Sequence, residues 1–154
     1  MNLFYGWGES LLIEKIDSEN LLLAIVIRNS FSKSGVTFVT PPELSQQLAY
    51  MNHPKGKIIE PHVHNPVKRE VIYTQEVLFI KKGVLRVDFY SDEKSYLESR
   101  VLNAGDTILL IQGGHGFEVI EEVEMIEVKQ GPYAGDVDKT RFQGVSNDQI
   151  KVCE

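Results

Sequence analysis

Two histidines separated by one valine, His62-Val63-His64, are the residues of this chain best suited to chemistry. On an extended strand, residues i and i+2 face the same side. Both imidazoles would then point at one locus, as two ligands of a single metal ion must. The other two histidines, His53 and His115, also lie in the middle section of the sequence. A carboxylate and a third imidazole beside the pair would complete a mononuclear site of nitrogen and oxygen donors. Such a set suits Fe, Mn, Ni or Zn and leaves positions open for water or a bidentate substrate. The plainer reading keeps His62 and His64 as ordinary strand residues.

The residues flanking the pair are basic. Lys55, Lys57, Lys68 and Arg69 form a local positive group in a chain whose net charge is −6 and whose pI is near 5.3. Lys57 and Arg69 are candidate substrate contacts, Arg69 through a bidentate fork onto phosphate or carboxylate. Solvated loop charges are the duller account of the same residues. His53, in His53-Pro54-Lys55-Gly56, reads as a surface turn residue. The acidic balance argues against a nucleic-acid surface or an anionic-membrane surface, so a small-molecule substrate is the expected partner.

The single cysteine, Cys153, excludes a disulfide within the chain and a cysteine metal cluster, and a reducing cytoplasm is the default expectation. The first residues lack a basic n-region, and Glu9 soon follows, which argues against a signal peptide. The longest apolar run, Leu21 to Ile27, has seven residues, too short to span a bilayer. Trp7, between two glycines, reads as a packing anchor.

The elements that must position these residues are strands almost throughout. The expected strands are Leu11–Ile16, Leu21–Asn29, Thr37–Thr40, Gln47–Asn52, Lys57–His62, Val71–Ile80, Val84–Tyr90, Ser95–Leu102, Thr107–Ile111, Gly116–Ile120 and Glu124–Lys129. Between them stand turn signals such as Pro41-Pro42, Asn65-Pro66, Lys82-Gly83 and Gly113-Gly114. No stretch of ten residues has a helical period, although Pro42–Gln47 suits one helical turn. Short strands at this spacing predict an all-β sandwich or barrel in one domain spanning 1–154. Arg86, Asp88 and Tyr90 alternate with Leu85, Val87 and Phe89, which predicts that the polar set faces outward. Val71-Ile72-Tyr73 and Val77-Leu78-Phe79-Ile80 are apolar on both faces and need cover, for which a homodimer is the economical source.

Two blocks of spacing sharpen this. The first runs Gly56, five residues, His62-Val63-His64, eleven residues, Glu76, six residues, Gly83. The second runs Gly105-Asp106-Thr107 through Ile111 to Gly113-Gly114-His115. Together they resemble the two signature blocks of the cupin superfamily, over roughly Gly56 to Lys129. The resemblance implies a cupin-type jelly-roll β-barrel, a double-stranded β-sandwich, with the N-terminal strands and the tail after residue 133 packing on it. It implies His62, His64, Glu76 and His115 as ligands of one divalent transition metal. The sequence departs from the pattern in three places. The gap before the carboxylate is eleven residues and includes Glu70, a competitor for Glu76; Ile111 replaces the usual proline; and no asparagine follows His115 at the usual distance.

Small stand-alone cupins include isomerases and epimerases of nucleotide-linked sugars in carbohydrate metabolism, and that chemistry is the expectation here. The alternatives are a metal-dependent dioxygenase, a metal-free ketoisomerase using His62 or His64 as the base, and a non-catalytic small-molecule binder.

Overall fold

The computed structural model describes residues 12–153. Trp7 and the first residue of the expected strand Leu11–Ile16 lie outside the described residues. Strands are β1 (Ile13–Ser18), β2 (Leu21–Ile27), β3 (Gly35–Phe38), β4 (Ala49–Asn52), β5 (Glu76–Tyr90), β6 (Tyr96–Asn103), β7 (Thr107–Leu110) and β8 (Gly114–Lys129). No α-helix occurs among the described residues, only two short 3₁₀ turns at Gly135–Asp138 and Asn147–Gln149. Residues 42–47 form turns rather than a helical turn. The protein is all-β, as its alternation predicts. It divides into two compact units, the chain to Phe31 with the stretch from Tyr73 onward, and Ser32–Ile72.

The larger unit is one curled antiparallel sheet of six strands, in the order β1-β2-β7-β5-β6, with β8 on the opposite side of β5. Beginning at Glu76, β5 pairs with β7; beyond Val84 it pairs with β6; and β8 follows it along both halves. The sequence predicts a turn at Lys82-Gly83, and the structure corrects this: the chain runs straight through it as one fifteen-residue strand. The expected strands Gly116–Ile120 and Glu124–Lys129 are likewise one strand, β8. The turn signals survive as bulges, because the β5–β8 register shifts three times between Ile80 and Leu85. Each bulge adds bend and twist, which is how a long ribbon closes on itself. Gly83 makes the bend feasible. Its φ is +83°, and a Cβ there would lie 2.0 Å from the carbonyl oxygen of Glu122.

The concave face is apolar, as the alternating residues of β2, β5 and β7 require. Ala24, Val26, Leu78, Ile80, Leu85, Val87, Phe89, Ile108 and Leu110 pack there with Ile16 of β1 and Leu102 of β6. The flank where β1 meets β6 is tied by charge. Glu14 pairs with both Arg28 and Arg100, and Arg28 also donates to the carbonyl of Val101 and to Asp106 Oδ2 at 3.0 Å. Asp106, 3% exposed, further accepts from the backbone N–H of Asn29 (2.8 Å) and Asn103 (2.9 Å). It is the knot of the β6–β7 turn.

The face carrying Arg86, Asp88 and Tyr90 is not open to solvent as expected. The segment from Phe142 to Val152 covers it: Phe142 stands edge-on to Tyr90, and the Val145 N–H donates to the Tyr90 hydroxyl. Val152 bridges in parallel to Ser99 of β6. Asp88 is buried against Ser99 and Arg86.

The smaller unit holds the β3–β4 hairpin. Its long connection is stapled by Gln47, whose amide donates to the carbonyls of Pro41 and Leu44 and accepts from the Thr40 hydroxyl, all at 2.9 Å. The expected strand Lys57–His62 is absent, as is strand structure at Val71–Gln75. Pro61 and Pro66 each remove a ladder donor from the stretch between residues 57 and 75 and fix φ there, so it carries no regular ladder.

Candidate active site on the concave rim

Glu76 opens β5 with the parity of the buried Leu78 and Ile80, so its carboxylate faces the concave side. Its cross-strand neighbour on β8 is Lys129, and directly opposed residues share a face. His115, near the start of β8, opposes the buried Phe89 and therefore also points inward. The ribbon curls so far that its two ends meet. His115 Nε2 lies 3.3 Å from one Glu76 carboxylate oxygen, and Lys129 Nζ lies 3.6 Å from the other. The His115 ring is tilted against Phe117, its same-face neighbour, with centroids 5.4 Å apart.

This setting fixes the charge of Glu76. The hydrogen bond with His115 pulls its carboxyl below the ordinary carboxylate range; partial burial opposes that, and the charges of His115 and Lys129 reinforce it. Lys129 is held above the ordinary lysine range, first by its hydrogen bond with Glu127 and then by the charges of Glu127 and Glu76. The arrangement is an ionised carboxylate with an imidazole on one oxygen and an ammonium on the other.

Of the four implied metal ligands, the sheet therefore brings two together, Glu76 and His115. Glu76 rather than Glu70 is the carboxylate at His115; Glu70 is exposed on the smaller unit, outside any strand. His62 and His64 form a second pair. They lie on no strand, which corrects the expectation that strand alternation aligns them, yet their rings still meet edge to face at 5.2 Å. His62 Nδ1 is 3.0 Å from the carbonyl oxygen of Glu60. Both histidines are exposed, as are Lys57 and Arg69. Arg69 donates to the carbonyl of Val67 at 3.4 Å, and Lys57 closes a turn through its backbone N–H onto Pro54.

A metal fits each pair in donor chemistry. The 3.3 Å between His115 and Glu76 is near the ~3 Å edge of a coordination polyhedron with bonds of about 2.1 Å. Among the described residues, however, no group of three or more His, Cys, Asp or Glu side chains gathers closely enough to hold an ion. From sequence, Lys129 and Tyr133 could each reach a pocket rim, with the turn chemistry of Gly131-Pro132 as the plainer account, and neither is singled out. The signal that finds it is the β5–β8 register, which no motif encodes. A separate cavity of about 600 Å³ opens beside the β1–β6 flank, lined by Glu14, Arg28, Asp106 and Cys153 among others, and none of the sequence-predicted site residues lines it.

Comparison with family models, curated proteins and solved structures gives no match to this chain.

Proposed function

We propose that this chain is a cupin-type jelly-roll protein that binds one divalent transition metal and performs isomerase or epimerase chemistry on a small polar substrate, a sugar or nucleotide-linked sugar. The observation that supports it is the contact of Glu76 with His115 on the concave face, because each of the two signature-like blocks contributes one member. His62, His64, Glu76 and His115 would hold the ion, whose contribution when bound is to polarise a substrate carbonyl. The chain's own groups supply the rest. Glu76, kept ionised by its neighbours, would supply the anionic oxygen donor among the four ligands. Lys129 provides an ammonium within reach of an anionic substituent such as phosphate.

One observation favours a second, metal-free reading. Lys129 already places a positive charge 3.6 Å from Glu76, where an ion's charge would otherwise fall. In that reading the acid/base pair is Glu76 and His115 rather than His62 or His64. Metal analysis of freshly purified untagged protein separates the two. The metal reading expects close to one equivalent, lost in His115→Ala and Glu76→Ala. Less than about one-tenth equivalent, with folding indifferent to chelator, overturns it. Solvent-deuterium incorporation into nucleotide-linked keto sugars, followed by NMR, tests the proton transfer in either case; no incorporation across the series overturns the isomerase reading.

A further inference from the structure

The cavity of about 600 Å³ at the flank where β1 meets β6 has a volume in the range of small-molecule sites. Its described lining residues all belong to the larger unit, and Glu76, His115 and Lys129 are not among them. The floor is ionic and largely closed. Glu14 accepts from Arg28 Nε on one oxygen and from Arg100 Nε, at 3.0 Å, on the other. Arg28 Nη1 spends its two N–H groups on the Val101 carbonyl (2.7 Å) and on Asp106 (3.0 Å). Arg28 Nη2 has no acceptor among the described residues. Nor is it sealed from solvent, since no buried side-chain nitrogen or oxygen there lacks a partner. The guanidinium, which lines the cavity, therefore keeps two open donors.

The rim is polar and neutral. Asn29, Ser30 and Asn103 are exposed, and their side chains make no hydrogen bond among the described residues. Asn29 is held over the β6–β7 turn by the space that Gly105 leaves. A Cβ at Gly105, whose φ is +92°, would lie 2.3 Å from the Asn29 Cγ. Val101 and Val152 add an apolar wall, the latter fixed by its parallel bridge to Ser99. This pattern selects among ligands. A bidentate fork onto carboxylate or phosphate needs two guanidinium nitrogens, and Arg28 has one open. Glu14 and Asp106 beside it repel an anion, and Arg28 itself repels a cation. A neutral molecule meets neither penalty. Its hydroxyl oxygens accept from Nη2, its hydroxyl hydrogens go to the side-chain oxygens of the rim, and its carbons lie on the valines.

We propose that this cavity binds a small neutral polyhydroxylated molecule, a monosaccharide or cyclic polyol. Arg28 Nη2 and the side chains of Asn29, Ser30 and Asn103 hold it. The site goes beyond the function proposed above and does not rest on it, because it is built from different residues than the Glu76–His115 contact.

Cys153, the only cysteine of the chain, lines the same cavity and so reports on its occupancy. Its alkylation by iodoacetamide is followed by intact mass, with glutathione as reference thiol. The probes are D-glucose, D-ribose and myo-inositol, against acetate and inorganic phosphate at matched ionic strength. At least one neutral probe should slow the reaction about fivefold once its concentration is about four times its Kd, while acetate and phosphate leave the rate unchanged. Asn103→Ala and Ser30→Ala remove exposed rim side chains without touching the ionic floor, and each should weaken that protection about fivefold. Arg28→Lys, which keeps the charge and loses Nη2, should abolish it. Protection should persist in Glu76→Ala/His115→Ala chains. No protection by any neutral probe up to roughly 100 mM overturns the proposal. Equal protection by acetate or phosphate overturns it too, as does protection that survives both rim variants undiminished. Protection lost in the Glu76→Ala/His115→Ala chains places the ligand at the other site and also overturns it. Failure of the isomerase reading changes none of these outcomes.

Discussion

The curled sheet has two flanks finished in opposite ways. Where β1 meets β6, Glu14, Arg28, Arg100 and Asp106 form a connected, largely buried network, and the apolar residues behind it are fully covered. Along β8, Phe117, Val119, Ile120, Met125, Ile126 and Val128 are exposed, and one edge has no ladder partner among the described residues. A buried charge network is worth little unless every member is satisfied, and on the first flank the members are satisfied from within the chain. An open apolar edge is an aggregation hazard unless something occupies it. The contrast is that one flank is closed by ion pairs within the sheet, whereas among the described residues β8 keeps one edge without a ladder partner.

The largest way to break this contrast is at the bend that produces the second flank. Gly83→Ala requires a left-handed backbone for a residue that resists it and a Cβ overlapping Glu122. A loss of about 3 kcal/mol is expected from denaturant unfolding, with the His115–Glu76 contact gone. Next is Asp106→Ala, which leaves Arg28 and two backbone donors without their acceptor. About 3 kcal/mol should be lost, with the association state unchanged, since the damage is confined to the sealed flank. Association and stability should move together for Phe117→Ser on the open flank. Dilution should lower the melting temperature of wild-type protein, and this variant should abolish that concentration dependence. An intrinsic stability change within about 0.5 kcal/mol is expected for a residue exposed in one copy.

The smallest effect is the titration of Glu76. Its pKa is depressed in the folded protein, so the stability it contributes is present above the ordinary value of 4.5 and is lost as pH falls through the lower folded value. Carbon-detected NMR on metal-free protein should place its midpoint below 4.5. Removing His115 should raise that midpoint more than removing Lys129, because the histidine hydrogen bond is the leading cause. An equal response to both variants would sink the proposed asymmetry of the site.

Much of the sheet was legible in the sequence, because Leu85, Val87 and Phe89 alternate with polar residues and Leu21–Ile27 is apolar throughout. The carboxylate and the second-block histidine were legible for a different reason, since spacing to Gly83 and from Gly105 anchors them on ladder ends. The merging of four expected strands into β5 and β8 was not legible: Lys82-Gly83 carries the same turn signal whether the chain reverses or bulges, and only the partner strand decides. Nor was the fate of the His-x-His stretch. Its alternation suits a strand, but the prolines at 61 and 66 deny it an uninterrupted ladder. Lys129 is legible only as a residue that could reach a pocket rim, beside the turn signal of Gly131-Pro132, because its neighbour Glu76 lies fifty-three positions earlier.

Placing a left-handed glycine among the three register shifts of the β5–β8 ribbon has a consequence for how tolerance to mutation is mapped. Position 83 should score as intolerant in any screen for stability, because a single methyl group there collides with the Glu122 carbonyl oxygen and disturbs the bend that brings Glu76 to His115. Intolerance at that codon reports architecture rather than contact with a ligand.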